Sequence, residues 1–391
     1  MKLSQAFIST LKREMDHIRQ FPSYWLSLTL LPAISITLFA TLFHQGSPRE
    51  LPIALLDQDN STLSRHLATM IDSSPEIAIR HSITDIKQGE ELILEGKADA
   101  MVVIPVAFEQ DIYSLSQTSI EAYISGLNIL KNGLISKGLL SSTTTFNIGA
   151  GVLTLQSKGI TEEQAMALAI PVRLDTHILF NPYANYSYYL SPLFMPMMVA
   201  IFTMLSTIFS LGSELRYATL QEWLSTAHNS LSVALAGKLI PIFCVMVGWE
   251  AIIFTTLFSV MGVPLNGSGW MIALAGILLI ICYMALAVMT VILTSNMRLA
   301  LSLGGGYSVM AFSLSGLTFP RLAMHPAIQY FGALFPFTYF TDIVIDQTLR
   351  GAPTINSIGP LCKMIFFLPL AIVLVPRLRK IATNHTKLRK S

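Results

Sequence analysis

Charge is what this sequence has least of. Only 12% of its residues are charged, where a soluble domain carries about 25%. With 52% of its 391 residues hydrophobic, a single water-solvated core is excluded, and the solvent of this chain must be partly lipid. Cysteine is also scarce. Cys244, Cys282 and Cys362 all lie in apolar runs, an arrangement that builds neither a disulfide framework nor a cysteine metal site and suits small buried apolar residues. Signatures of chemistry are missing too. G-x-x-x-x-G-K-[ST] does not occur, because Gly96-Lys97 and Gly237-Lys238 lack both the upstream glycine and the following hydroxyl. There is no His-Glu-x-x-His and no G-x-S-x-G elbow. The histidines are scattered, so no metal site is expected, and a net charge of +2 implies no nucleic-acid partner. Such a chain is expected to be no enzyme, to bind no cofactor of its own, and to draw energy for any work from elsewhere.

What the sequence does have is long apolar runs. A helix needs about 20 mainly apolar residues to cross the hydrocarbon core. Six stretches qualify, roughly 24–43, 190–212, 239–262, 271–294, 300–318 and 360–376. The expected fold class is an α-helical polytopic membrane protein with six transmembrane helices and an inserted α/β extracytoplasmic domain. Five parts follow: an amphipathic helix at 1–21, the first span at 22–43, the inserted domain at 44–188, a five-helix permease region at 189–376, and a basic tail at 377–391. The first apolar run is longer than the h-region of a signal peptide and lacks small-x-small cleavage chemistry near Phe43-His44-Gln45. It reads as an uncleaved anchor.

Lysine and arginine in short loops set orientation. Lys2, Lys12, Arg13 and Arg19 precede the first span. Arg216 and Lys238 flank the loop after the second, Arg298 follows the fourth, and Arg377, Arg379, Lys380, Lys387, Arg389 and Lys390 follow the last. Loop 263–270 has none and 319–359 has only Arg321 and Arg350. Both termini are therefore expected in the cytoplasm of a chain in the inner (plasma) membrane, with the large domain outside. In the first segment Leu3, Phe7, Leu11, Met15 and Ile18 recur at helical spacing. That stripe fits a helix lying on the inner membrane surface among lipids or one packed on a partner protein.

Within the inserted domain, Leu51–Leu56 reads as a strand. Asp57-Gln58-Asp59-Asn60 then supplies a helix N-cap before Ser61–Ile71. Ile83–Glu95 has helical spacing with Gly96 as its C-cap, Ala100–Ile104 reads as a strand closed by Pro105, and 127–170 is mostly helical.

The most informative short stretch is the cytoplasmic loop 213–237. Leu215, Leu220, Trp223 and Leu224 form one apolar face of a short helix, and Glu214, Arg216, Gln221 and Glu222 supply polar contacts. A short amphipathic helix of this kind can receive force from an ATPase, or can be a plain surface connector. The stretch resembles the signature of ABC-type-2 exporter permeases, Arg-Glu then Gly-Thr-x-Glu-x-Leu ahead of Gly-Lys. Thr219, Leu220, Glu222, Leu224, Gly237, Lys238 and Pro241 match. Ala218 stands where the family usually has Gly, and Ala227-His228 where it often has Pro. Asn181-Pro182 before the second span resembles the family's Tyr-Asn-Pro element. Gly316, Phe319-Pro320 and Pro336 resemble its closing outer re-entrant hairpin, here 319–350.

The resemblance covers essentially the whole chain. It implies a permease subunit that moves drug-like or amphiphilic substrates out of the cytoplasm. ATP and magnesium would be bound by a separate ABC ATPase subunit. The permease would act as a homodimer or a heterodimer with a related permease, and its outer domain would be free to meet a periplasmic adaptor. It also implies that Glu214, Arg216, Thr219, Leu220, Glu222 and Trp223 form the ATPase-coupling loop.

Glu250 stands apart, mid-way along the third span. A carboxylate there costs about 2.5–3.5 kcal/mol on insertion scales and must face a partner or a cavity. It is either a pathway carboxylate or a helix–helix hydrogen bond. Gly304-Gly305-Gly306 permits close helix packing, and the sequons at Asn60, Asn185, Asn266 and Asn384 are short enough to arise by chance. Two rival classes remain. One is a secondary transporter driven by an ion gradient, for which Glu250 speaks and the lack of matched broken helices speaks against. The other is a membrane scaffold acting through its outer domain.

Overall fold

A computed structural model describes residues 2–44, 46–114, 116–169, 179–181 and 185–390. The chain divides into two compact units, Met1–Ser47 with Ile178–Ser391, and Pro48–His177.

The first unit begins with α1 (Lys2–Gln20). Phe21 leaves helical dihedrals, as a residue before proline is biased to do. Pro22 then opens α2 (Pro22–Leu28) at the position where a missing N–H costs nothing. Thr29 separates α2 from α3 (Leu30–Leu42), so the expected first span is a broken helix. The cause is local. Pro32 has no N–H for the Leu28 carbonyl four residues back, and Trp249 Nε1 donates to that carbonyl at 2.8 Å. In lipid an orphaned carbonyl would find no water.

The second unit is an α/β layer. Its strands β1 (Leu51–Asp57), β2 (Ile77–Ser82), β3 (Ala100–Ile104) and β4 (Glu121–Ile124) lie in the order β2-β1-β3-β4. β1 runs parallel to β2 and β3, and β4 is antiparallel to β3. Helices α4 (Thr62–Asp72) and α5 (Ile86–Leu94) are the crossovers, followed by α6 (Phe108–Ser114), α7 (Ile129–Ser157) and α8 (Glu162–Ala169). Ala54, Leu56, Met101 and Val103 form one core face against Leu92 and Ile93. The N-cap of α4 is Ser61, whose hydroxyl accepts from Ser64 N at 3.0 Å, and not the Asp57–Asn60 run. Asp57 instead holds the turn, accepting from the backbone of Asp59 and Asn60. The helix expected from Ile83 starts at Ile86, and Gly96 follows it at φ +70°. The unit is narrower than the 44–188 read from polarity.

The helical unit resumes with α9 (Tyr186–Arg216), α10 (Leu220–Thr226), α11 (Leu231–Thr255), α12 (Gly269–Thr294) and α13 (Met297–Leu314). It closes with α14 (Pro326–Gly332), α15 (Pro336–Ile345), α16 (Thr354–Ile365) and α17 (Leu368–Lys390). Among the described residues five helical stretches are long and apolar enough to cross a membrane: Pro22–Leu42, Tyr186–Arg216, Leu231–Val260, Gly269–Thr294 and Thr354–Ile381. The expected span at 300–318 is α13, whose 18 residues are long enough but include Arg298, three consecutive glycines and three serines, which leave it less apolar than the others. It does not join that group. α12 sits at the centre, its Tyr283, Leu286, Val291 and Ile292 buried with Met204 and Ile208 of α9 and Phe337 and Phe340 of α15. Of the three consecutive glycines only Gly304 lies under a neighbouring helix, where a Cβ would stand 2.6 Å from Ile208 Cδ1.

At the end of the unit where α11 gives way to α12, the loop and the turn after α15 clasp each other. Gly267 N donates to Gln347 O at 2.8 Å, and Ser268 N to Gln347 Oε1 at 2.7 Å. Asn266 Nδ2 donates to Leu349 O at 2.9 Å, and buried Gln347 donates to Ala352 O and Ser357 Oγ. Were this backbone at membrane depth, its polar groups would have to be answered in this way.

Candidate functional site

The residues expected to face a partner fall into two sets, one turned inward and one outward. α9 runs past its apolar stretch to Arg216, and Ala218 then takes a left-handed φ of +58° that lets the chain fold back into α10. Left-handed backbone strains any residue with a Cβ, which gives a physical reason for glycine to be usual at this position. Leu220, Trp223 and Leu224 bury one face of α10 in the core. Arg216, Glu222 and Ser225 are exposed. His228 and Asn229, both at positive φ, turn the chain into α11.

Beneath α10 lies a cluster of buried charge. Lys238 of α11 is 1% exposed. Its Nζ stands 2.6 Å from Glu14 Oε2, 3.0 Å from Glu214 Oε1 and 3.1 Å from the Ser210 carbonyl. Glu14 Oε1 accepts from Tyr24 OH at 2.6 Å and from Ser210 Oγ at 2.5 Å. Glu214 Oε2 accepts from Arg13 Nη2 at 3.0 Å and from the Thr219 hydroxyl. Two carboxylates thus face one lysine and one arginine, and each is hydrogen-bonded, which is the condition on which buried charge is tolerated. The ammonium also lies 5.8 Å from the Trp223 ring centroid, tying the inner face of α10 to the cluster. His17 borders it. Burial first, and the Lys238 charge second, hold its imidazole below the usual histidine value, so it stays neutral at pH 7.

Gly237 is what lets α1 reach this position. A Cβ there would lie 2.7 Å from Thr10 Cβ and 3.3 Å from Leu11 N, so only glycine admits α1 against α11. The face that α1 buries is therefore small and polar, Ala6, Thr10 and Glu14 at four-residue spacing. The apolar stripe read from the sequence borders this face: Phe7, Leu11 and Ile18 are half-buried, Ile18 packing against the core around Tyr24 and Leu28, and Met15 is 41% exposed. Next to the cluster a cavity of about 620 Å³ opens between α1 and the end of α9, lined by Lys12, Arg13, Asp16, His17, Glu214 and Thr219. Arg13 Nη1 and His17 Nδ1 are buried at its wall without hydrogen-bond partners among the described residues.

The arrangement separates the residues expected in the coupling loop. Glu214, Thr219, Leu220 and Trp223 point inward and position α10, leaving Arg216 and Glu222 on the outer face. Lys238 is not merely a motif position but the centre of the cluster. Glu14 is not among the residues singled out in the sequence, and Arg13 is read there only for orientation. The signal for them was a lysine at the start of an apolar run, which needs a carboxylate, and a glutamate in register with the small residues of α1. The remaining residues lie elsewhere. Glu250 is half-buried on α11 with its carboxylate in the gap left by Gly276 of α12, where a Cβ would be 2.5 Å from Oε1. It has no hydrogen-bond or ion-pair partner among the described residues. Asn181 bridges the turn into α9, donating to Asn185 O at 3.0 Å and accepting from Asn185 N at 2.8 Å. Pro182 lies outside the described residues. Gly316 takes φ +94° beside Arg321, which pairs with Asp342. Phe319 and Pro320 are exposed, and Pro336 opens α15 from a buried position.

The family model of ABC-2 family transporter proteins matches residues 22–375. This chain belongs to the ABC-2 transporter family. Neither the comparison with curated proteins nor that with solved structures gave a match. This ABC-2 transporter is a multi-pass membrane protein, and its family works in general with ABC ATPases. The match starts at Pro22 and so excludes α1, although α1 supplies Glu14 and Arg13 to the cluster.

Proposed function

We propose that this chain is the permease subunit of an ABC exporter and that its ATPase presses on the exposed face of α10. The observation that carries the reading is the ion-paired cluster of Glu14, Glu214, Lys238 and Arg13, which fastens α1, α9 and α11 directly under a short helix with an open polar face. A push on Arg216 or Glu222 would then move three helices as one body, because a buried ion pair resists separation. An anionic side chain of the ATPase entering the neighbouring cavity would meet Arg13 and His17, whose inner nitrogens lack partners.

In this reading both termini are cytoplasmic and α13 is a sixth, short span, with unit 48–177 outside. Two such chains, or this one with a related permease, frame the pathway. Amphiphilic or drug-like molecules leave toward the outer unit, which is free to meet a periplasmic adaptor. A photo-crosslinker at Glu222 is expected to capture a P-loop ATPase in intact membranes, and one at exposed Leu322 is not. Capture at neither position, or equally at both, would sink the coupling role. A second reading, transport driven by an ion gradient, has one observation in its favour, the unpartnered Glu250. Under it Glu250→Gln would abolish transport while the chain purifies without any ATPase.

A further inference from the structure

We propose that a groove between α11, α12 and α17 holds an acyl chain of an anionic phospholipid. The groove measures about 460 Å³ and every surface lining it is apolar, from Leu239 and Phe243 of α11, Met284 and Ala285 of α12, and Ala371 and Val375 of α17. All three helices belong to stretches long and apolar enough to cross a membrane, so the open side of the groove faces hydrocarbon. A groove left empty there would forfeit the dispersion contacts of its lining, and lipid chains are the solvent at hand.

The headgroup is argued from charge. On α17 the groove-lining positions Leu368, Ala371, Ile372 and Val375 recur every three or four residues, which places them on one helix face. The next position on that face is Arg379, flanked by Arg377 and Lys380, and all three are exposed. Arg379 reaches the start of α11, its Nη2 lying 3.5 Å from the Asn229 carbonyl. Three exposed cations directly beyond an apolar slot, Arg377, Arg379 and Lys380, favour a net-anionic lipid over a zwitterionic one.

The proposal rests on reading Thr354–Ile381 as a span whose Arg377 end meets the membrane surface. It does not rest on the ATPase. The test is native mass spectrometry of the full chain released from nanodiscs of mixed phosphatidylglycerol and phosphatidylcholine. The parent is expected to retain about one phosphatidylglycerol per chain. Ala285→Trp, which fills the groove, is expected to lose it. Arg379→Gln lies on the surface and stays informative should Ala285→Trp fail to fold. It is expected to retain a lipid but lose the preference for phosphatidylglycerol. A parent that retains no lipid, an equal yield of both lipids, or a lipid held unchanged by Ala285→Trp would overturn the proposal. So would a non-lipid molecule in its place. Because none of these readouts needs ATP, failure of the exporter reading leaves this result distinct.

Discussion

At one end of the helical unit, Lys238 is held by two carboxylates and a carbonyl. At the other, Gln347 is held by a backbone amide, a backbone carbonyl and a serine hydroxyl. Both side chains are buried and both join segments far apart in sequence. The difference lies in what happens when one member is lost. A neutral amide network loses single hydrogen bonds, whereas a charged network loses its neutrality. The α10 end is therefore expected to fail as a unit, which suits the coupling role proposed for it, and the hairpin end can yield by degrees.

Breaking the charged end gives the largest expected effect. Lys238→Met leaves two buried carboxylates to a single arginine and is expected to cost about 3–5 kcal/mol, read as a fall in thermal midpoint by fluorescence-detected size exclusion. Adding Glu14→Gln restores neutrality through the surviving Arg13–Glu214 pair, so the double variant is expected to be more stable than Lys238→Met alone. If it is not, the cluster does not act as one network. The hairpin end should respond less. Gln347→Ala strands the Ser268 amide and the Ser357 hydroxyl and is expected to cost about 1–3 kcal/mol in the same assay.

Acid sharpens the comparison further. His17 faces Lys238 of α11, Glu214 of α9, Tyr24 of α2, and Glu14 and Arg13 of its own helix, and its pKa lies below the usual 6.5. The unfolded chain then binds the proton more readily than the folded one. Stability is full above about pH 6.5 and is lost as pH falls below it toward the folded-state value. His17→Phe is expected to flatten that dependence, and an unchanged profile would remove His17 from the account. The smallest effect belongs to Ala218. Relieving its left-handed φ with Ala218→Gly is expected to stabilise by about 1 kcal/mol, seen as a small rise in the same midpoint.

How much of this could be read beforehand differs between regions for physical reasons. Five of the six expected apolar stretches fall in long apolar helices, because lipid demands apolar length, and the apolar face of α10 was legible at Leu220, Trp223 and Leu224. The break at Thr29 was not taken, although Pro32 marks it. Strand β4 hid because Glu121–Ile124 lies mostly exposed and carries no alternation. The Glu14–Lys238 pair hid because its partners stand 224 positions apart, and because the face of α1 that carries Glu14 is marked only by the small residues Ala6 and Thr10. Composition announces what lipid touches, but not which charge answers which.

The most direct test of the α10 coupling role is affinity purification from gently solubilised membranes, with ATP hydrolysis measured for the parent and for Glu222→Lys. Glu222 is exposed and outside the cluster, so its replacement is expected to leave the thermal midpoint within about 0.5 kcal/mol of stability. The account predicts that a P-loop ATPase co-purifies with the parent and is lost, with its activity, from Glu222→Lys. An ATPase that co-purifies equally with both, or a parent chain that purifies alone, would contradict it.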